Sequence, residues 1–187
     1  MTGQLQLAPD QVGRLIATAF AELAQTAWLA GAHARVRALT PMFAAVAAHA
    51  YRHGRVDIAE RRDRAAGVAV WLPHDAPPVT DYPGAEPDVV ARWQQFEATL
   101  ATGHLVEPHR HLAFLAVARH SRRRGVGSGL LDTGHNATDL PIHLDAEHAG
   151  LVAYYCTRGY LPGTGIRMPN GTLMWPMRRP PRSEMSR

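Results

Sequence analysis

Lysine is absent from the sequence, and its absence excludes several kinds of functional site. All 20 basic residues of the chain are arginines. A Walker-type phosphate loop, a Schiff base and a serine–lysine dyad each require a lysine amine, so this chain can form none of them. We attribute most of the arginine excess to codon bias. Arginine forms bidentate contacts with phosphates and carboxylates, so a local cluster of arginines still indicates anion binding.

Cysteine and long hydrophobic runs are also scarce. The single cysteine, Cys156, excludes an internal disulfide and a metal site made only of cysteines. The most apolar stretch, residues 42–51, is followed directly by Arg52 and His53 and is too short to cross a bilayer. Residues 1–10 have neither the basic start nor the apolar run of a signal peptide. We therefore expect a soluble, cytoplasmic protein that binds no membrane.

Length and composition are typical of one globular domain with a sizeable core. The chain has 187 residues, of which 46% are apolar and 19% charged. The formal net charge is +4 at pH 7, and the pI is about 9.8. A basic pI alone is weak support for nucleic-acid binding, and the run of arginines at residues 122–124 has no interleaved aromatic residues. We expect no nucleic-acid partner.

Hydrophobic periodicity predicts a mixed α/β (α+β) domain around one sheet. The predicted strands cover residues 4–8, 55–60, 66–72, 111–117, 141–146, 160–168 and 172–177. The predicted helices begin near Pro9, Thr40, Asp88, Gly125 and Gly150. A type I′ turn is predicted at Asn170–Gly171, and residues 73–87 are predicted to form a proline-rich loop. We assign residues 1–178 to one domain and residues 179–187 to a polar tail.

A strand, a basic turn with two glycines and a helix follow one another at residues 115–131. The first N–H groups of a helix have no partner within the helix, and the helix dipole adds partial positive charge there. Gly125 and Gly127 leave space for a phosphate close to the backbone, and Ser128 adds a hydroxyl donor. The neighbouring arginines that raise the local potential are Arg122, Arg123 and Arg124. This segment therefore predicts a pyrophosphate site.

The spacing of the glycines excludes a dinucleotide-binding fingerprint. That fingerprint requires G-x-G-x-x-G directly after a strand, whereas seven residues separate Val117 from Gly125 here. The pattern Arg122-x-x-Gly125-x-Gly127 instead resembles the acetyl-CoA-binding motif of the GNAT superfamily of N-acetyltransferases. In that family the motif lies between a central strand and a helix.

The resemblance continues beyond the motif. Residues 142–146 resemble the next strand of the family, Tyr155 to Tyr160 resemble the end of its following helix, and residues 166–177 fit its final hairpin. Upstream, residues 67–73 and the helix after the proline-rich loop resemble the antibiotic-resistance branch typified by puromycin N-acetyltransferase. His109 and Leu112 also match that branch.

The resemblance implies a mostly antiparallel sheet whose central strands splay apart around acetyl-CoA or another acyl-CoA. The strand residues implied in pantetheine binding are Leu115, Ala116 and Val117, and a backbone N–H near Val117 would polarise the thioester carbonyl. The backbone amides implied in pyrophosphate binding are those of Arg122, Arg123, Arg124, Gly125, Val126, Gly127 and Ser128. Tyr155 occupies the position of the tyrosine that protonates the departing thiolate.

An ammonium acceptor must lose a proton before it can attack, so a carboxylate or histidine is expected near it. The candidates are Glu60, Glu107, His109, His111 and Glu147. We favour Glu60, because it ends a strand interpreted as central, and His109, because it enters the central strand. His104, His109 and His111 are close in sequence, but no acidic or cysteine ligands accompany them, so we predict no metal site.

The predicted function is an acyl-CoA-dependent N-acyltransferase in which a small-molecule amine, such as an antibiotic or a biosynthetic intermediate, attacks the thioester directly through a tetrahedral intermediate. The protein is expected to act as a monomer or homodimer. An alternative is a non-catalytic or weakly catalytic domain that binds acyl-CoA or a partner on the same fold. Arg119 and Leu151 favour this alternative, because they replace a proline and an asparagine that are common in the family. The helix after Gly127 favours it too, because it is predicted to be about one turn short, with a poor helix over residues 132–139.

Overall fold

A computed structural model describes residues 6–185 of the chain. The helices are α1 (Pro9–Phe20), α2 (Ala24–Ala30), α3 (Arg35–His53), α4 (Pro87–Leu100), α5 (Val126–Asn136), α6 (Ala149–Cys156) and α7 (Arg182–Met185). The strands are β1 (Arg55–Glu60), β2 (Ala65–Pro73), β3 (Arg110–Val117), β4 (Ile142–Ala146), β5 (Leu161–Pro162), β6 (Ile166–Arg167) and β7 (Leu173–Arg179). Short 3-10 helices occupy Ala101–Gly103 and Arg119–Ser121.

The strands form one mixed sheet in the order β1-β2-β3-β4-β7-β5, and β6 also pairs with β7. Within residues 6–185, the pairing of β3 with β4 is the only parallel one. These two strands pair only at Arg110–Ile142 and His111–His143, and then they separate. The predicted mostly antiparallel sheet with splayed central strands is therefore confirmed.

Two cores form on opposite faces of the sheet, because side chains alternate along β2. Val68 and Val70 pack with helices α1 to α4, whereas Ala69 and Trp71 pack with α5 and α6. The sheet is therefore covered by helices on both faces, and the splay between β3 and β4 opens between the two cores.

Helix α3 begins earlier than the sequence predicts. Thr40 and Pro41 were expected to start the helix, but α3 runs from Arg35, and Pro41 lies inside it. Proline cannot donate the hydrogen bond to the carbonyl four residues earlier, which belongs here to the exposed Arg37. The Thr40 hydroxyl donates to the Val36 carbonyl at 2.6 Å, an arrangement that is compatible with a continuing helix.

Helix α5 also differs from the prediction, because it extends to Asn136 through Gly134. The sequence indicates a poor helix after Asp132. Gly134 is required by packing: a Cβ at this position would lie 2.0 Å from Cζ2 of the buried Trp71. The low helix propensity of glycine is thus outweighed by close contact between α5 and the sheet.

The closing hairpin forms, but its first strand is reduced to the short strands β5 and β6, and its turn is of a different type. Positive φ angles would be needed at both Asn170 and Gly171 for a type I′ turn, and only Gly171, at 83°, has one. The Asn170 side chain instead accepts hydrogen bonds from the N–H and hydroxyl of Thr172. The N–H of Met168 donates to the Thr172 carbonyl, which closes a three-residue loop with the left-handed glycine at its end.

At the two ends of the chain the structure departs from the predicted elements. The predicted strand over residues 4–8 begins outside the described residues, and residues 6–8 are irregular. Strand β7 continues to Arg179, and α7 follows within the segment interpreted as a polar tail. No helix among the described residues is both long and apolar enough to cross a membrane.

Candidate active site

A cleft of about 1140 Å³ passes through the splay between β3 and β4. Residues of both cores line it, among them Phe43 and Trp93 on one side and Tyr155 on the other. This volume exceeds the roughly 300–1,000 Å³ of a typical single-ligand pocket. The cleft is therefore large enough to hold two substrates at once.

One end of the cleft is the phosphate turn, which we define as residues 122–128. Arg123 and Gly125 have positive φ angles of 58° and 79°, and Gly125 caps the start of α5. The first hydrogen bond of that helix runs from the Gly129 N–H to the Gly125 carbonyl. The N–H groups of residues 126–128 consequently have no acceptor within the helix.

The backbone of the phosphate turn is accessible because glycines line it. A Cβ added at Gly125 or Gly129 would meet no atom within 4 Å, and one at Gly127 would meet only Val117 Cγ2, at 3.4 Å. Unpaired N–H groups beside open space at a helix N-terminus fit a pyrophosphate. Ser128 lines the same space, and its hydroxyl lies 3.0 Å from the Tyr154 hydroxyl.

The three arginines of the phosphate turn have different surroundings. The Arg122 guanidinium donates to the Ala19 carbonyl at 2.6 Å and to the Val117 carbonyl at 3.4 Å, so it holds the turn against α1. Arg123 lines the cleft. Arg124 lines an adjoining basic depression, whose other arginines are Arg61, Arg62 and Arg64.

Strand β3 forms one wall of the cleft. Leu115 and Val117 line it, whereas the side chain of Ala116 is fully buried in a core. A bulge interrupts the pairing with β2, because Val70 pairs with Phe114 and Trp71 pairs with Leu112. Beyond His111 the edge of β3 that faces β4 has no paired strand among the described residues. This open backbone edge is available to a ligand that lies along the strand.

Tyr155, on α6, lines the cleft although only 6% of its surface is exposed. Burial raises the pKa of its phenol, and repulsion from Glu147 and Tyr154 raises it further. The hydroxyl therefore stays protonated at neutral pH and can act only as a proton donor there.

Two cleft carboxyls have pKa values suited to proton transfer. Burial raises the pKa of Glu147, at the end of β4, to about 7. Glu97, on α4, has surface open to the cleft, but enclosure by the cleft walls and repulsion from Asp145 raise its pKa to about 7. Glu97 was not predicted from the sequence, because its position on α4 is not distinguished by any motif.

The structure separates the predicted bases. Glu60 ends β1, which is an edge strand and not a central one, and its exposed side chain lies outside the cleft. Glu107 is bound by Arg178 at 2.6 Å, and this hydrogen bond lowers the pKa of the carboxyl. His109 is fully buried beside His104 and does not line the cleft. Of the five candidates, His111 and Glu147 line it.

His104 and His111 come together with a third histidine that local spacing does not reveal. His143 lies on β4, directly paired with His111. Burial and the neighbouring histidines lower the pKa of His104 to about 4 and that of His111 well below its usual range, so both rings are neutral at pH 7. Sequence reasoning missed His143, because the contact depends on the parallel register of two strands 32 residues apart.

Comparison with solved structures identifies the architecture. A Corynebacterium glutamicum protein, described as a histone acetyltransferase and related acetyltransferase, matches with a TM-score of 0.71 at 23% identity, over 95% of this chain and 93% of that one. A putative acetyltransferase of the GNAT family from Desulfovibrio desulfuricans matches with a TM-score of 0.57 at 14% identity, over 94% of each chain. The chain has the GNAT fold.

An insect relative of this fold also matches. The putative arylalkylamine N-acetyltransferase 7 of the yellow fever mosquito Aedes aegypti has a TM-score of 0.69 at 13% identity, over 94% of this chain and 84% of that one. No protein-family model and no curated protein sequence matches the chain. The GNAT fold is thus recognised through backbone geometry and not through sequence similarity.

Proposed function

We propose that the protein is an acyl-CoA-dependent N-acyltransferase that acts on a small amine. One observation carries the proposal: the open edge of β3, the glycine-lined phosphate turn and the buried Tyr155 share a single cleft. A ligand with a pyrophosphate at one end and a long polar arm would contact the phosphate turn, the edge of β3 and Tyr155 in that order. Acyl-CoA has that shape, and it carries a thioester at the far end of the arm.

The cofactor contacts follow from the cleft walls. Backbone N–H groups of residues 126–128 hold the pyrophosphate, and Arg123 adds positive charge beside it. The free backbone edge at Leu115 and Val117 binds the pantetheine arm, as a further strand would bind it. The pyrophosphate fits at the phosphate turn because Gly125 and Gly127 leave open space beside the backbone there.

Tyr155 and Glu147 supply the two proton transfers. The amine attacks in its neutral form, so an ammonium acceptor first releases one proton to solvent. Glu147 accepts the second proton, which the nitrogen loses as it bonds to the thioester carbon, because a carboxylate with a pKa near 7 is half ionised at neutral pH. Tyr155 donates its proton to the sulfur as the carbon–sulfur bond breaks. The products are an amide and a free thiol, and solvent restores both side chains to their starting states.

The acceptor binds in the acceptor arm, which we define as the part of the cleft lined by Phe43, Trp93, Phe96 and Glu97. Trp93 and Phe43 are in edge-to-face contact at 5.5 Å, so the arm has a largely apolar wall with one carboxylate. An amine carried on an aromatic or alkyl group fits this composition. Antibiotics and biosynthetic intermediates of this chemical class are the proposed acceptors.

The two segments that resemble the puromycin acetyltransferase branch both reach the cleft. Leu72 and Pro73 of the first segment line it, as do Trp93 and Phe96 of α4, and the proline-rich loop between them contributes Pro77. We propose that these segments contact the acceptor. The proposal places the reaction in the cytoplasm, where acyl-CoA is available.

Calorimetry with acetyl-CoA, followed by a thiol-release screen, tests the proposal. The screen pairs each arylalkylamine with a polyamine of similar length, and mass spectrometry identifies the product. We expect micromolar binding and faster transfer to the arylalkylamine of each pair. Absence of acetyl-CoA binding would contradict the proposal. Binding without transfer to any amine would favour the non-catalytic acyl-CoA-binding alternative.

A further inference from the structure

Three histidines from separate segments meet where β3 and β4 begin to separate. His104 follows the 3-10 helix Ala101–Gly103, and His111 and His143 are paired on the two strands. One ring nitrogen from each can be chosen so that all three lie within 4.8 Å of one another. We propose that this histidine cluster binds a divalent transition-metal ion of the zinc class, with an open coordination position that faces the acceptor arm.

The ring separations match a shared ion. The centroids are 4.4 Å apart for His104 and His143, 4.8 Å for His104 and His111, and 5.3 Å for His111 and His143. Imidazoles on one tetrahedral zinc, with a metal–nitrogen bond of about 2.0 Å, have ring centroids about 5 Å apart. The ring centroids therefore have the spacing of a bound site, and side-chain rotations would bring the three ring nitrogens, which lie within 4.8 Å of one another, to the shorter separation that one ion requires.

Hydrogen bonding leaves one nitrogen of His104 free for a metal. The Glu107 carbonyl can only accept, so His109 Nδ1 donates to it at 2.7 Å, and Nε2 of a neutral His109 must accept. His104 Nε2, at 3.0 Å, is the donor to that nitrogen. The lone pair of a neutral His104 is therefore on Nδ1. Metal-binding histidines are commonly oriented in this way by an acceptor for their second nitrogen.

His143 supplies an independent observation. Its side chain is fully buried, and neither ring nitrogen has a hydrogen-bond partner among the described residues. An unpaired buried polar group destabilises the folded state, so a partner is expected. Asp145 Oδ2 lies 3.4 Å from His143 Nε2, close enough to become its acceptor after a small rotation. Nδ1 of His143 would then be free for the ion.

The composition of the histidine cluster selects the class of ion. Three imidazole nitrogens suit Zn²⁺, Co²⁺ or Ni²⁺, whereas Mg²⁺ and Ca²⁺ prefer oxygen ligands. His104 and His111 line the cleft, so the remaining coordination position faces its interior. Sites with three protein ligands and one open position are typical of zinc ions that contact a substrate. The sequence alone predicts no metal site, because it does not show that His143 and Asp145 lie beside His104 and His111.

Ion binding is measured directly, so this proposal does not depend on the proposed acyl transfer. The untagged full-length protein is freed of metal and titrated with Co²⁺, whose visible absorption reports tetrahedral coordination, and Zn²⁺ is then added in competition. We expect one Co²⁺ per chain, displaced by Zn²⁺ but not by Mg²⁺. We expect His104→Gln and His111→Gln each to weaken binding at least about tenfold.

His120→Gln is the matched control, because His120 is exposed and lies outside the histidine cluster. This variant is expected to bind Co²⁺ as the parent does. His109→Leu, which removes the acceptor for His104, is expected to weaken binding by about 10–100-fold. Circular dichroism confirms that each variant is folded, and the variants of the two cleft-lining histidines decide the test. Failure of the parent to bind one ion, or unchanged binding in both His104→Gln and His111→Gln, would overturn the proposal.

Discussion

Tyr155 is the side chain whose surroundings most directly suggest a catalytic role. Its burial holds the phenol protonated, and its position beside the cleft follows from the last turn of α6. Tyr155 is the first residue of the helix-end motif on which its predicted role rests. Its side chain lines the cleft, and its role as an acid is a proposal. A helix end can be predicted from a local sequence pattern. A proton transfer cannot, because it also depends on where the substrate binds.

We expect Tyr155→Phe to lower kcat for thiol release by about 10²-fold at pH 7. Acyl-CoA affinity should remain unchanged, because the phenyl ring retains the packing. At a pH above the pKa of the departing alkyl thiol (about 8.5 for a cysteine), the sulfur is stable as a thiolate and no longer needs the proton, so the difference from the parent should shrink. Steady-state kinetics from pH 7 to about pH 10 provide the measurement. A constant ratio of rates across this range would remove the acid role.

Glu147→Gln should remove the proposed base. The parent is active in the deprotonated form, so its rate should fall as pH drops below about 7, the pKa of Glu147. The ratio of parent to variant rates, measured with the same amine, cancels the ionisation of the amine itself. We expect this ratio to rise through pH 7 and to reach about 10²-fold. Glu60→Gln, on the edge strand, is the control and should behave as the parent does.

Glu97→Gln should affect acceptor binding and not the chemical step. Glu97 is the carboxyl of the acceptor arm, and its ionised form attracts an ammonium group. At pH 8, above its pKa of about 7, the variant should show a higher KM for a cationic arylalkylamine with kcat retained. A neutral aromatic acceptor is the comparison, and its KM should not change. An equal loss of kcat for both acceptors would identify Glu97 as the base instead of Glu147.

At the scale of elements, local patterns predicted the kinds of element better than their ends. The hairpin of β1 and β2 and the strand–turn–helix unit at β3 and α5 follow from alternation and from the glycine pattern. The start of α3 and the end of α5 could not be predicted in this way. Both helices continue through residues of low helix propensity, Pro41 and Gly134, because of the structure around them. The histidine cluster and Glu97 could not be predicted from local patterns either, since strand register and helix placement bring these residues to the cleft.

The phosphate turn allows a paired test of backbone geometry. Gly125 has a φ of 79°, so Gly125→Ala places a side chain in the left-handed region at a cost of about 1–2 kcal/mol. Gly129 lies within α5 with open space around its Cβ position, so Gly129→Ala should stabilise the unliganded protein by about 1 kcal/mol. Thermal unfolding measures both effects. Calorimetry should show weaker acyl-CoA binding in Gly125→Ala, because the first N–H groups of the helix are displaced.

At the scale of the whole molecule, β2 and β3 join the two cores. Successive residues of β2 alternate between them, and β3 contributes Leu112 to one and Ala116 to the other. If one core unfolded, β2 and β3 would be disrupted, and the other core, which packs on the opposite face of these strands, would lose its support. We therefore expect the two cores to unfold together, and we expect a ligand bound in the splay to stabilise both of them.

Thermal unfolding should accordingly show one transition that shifts as a unit when acyl-CoA is added. At a free concentration of 100 times Kd, binding to the folded state contributes about 2.7 kcal/mol. For a chain of this size that corresponds to an increase in Tm of about 5–10 °C. Calorimetric and van't Hoff enthalpies should agree. Two separate transitions would contradict the single domain, whereas an unshifted single transition would contradict binding in the splay. Because the cleft is lined by both cores, a shift confined to part of the transition would place the ligand elsewhere.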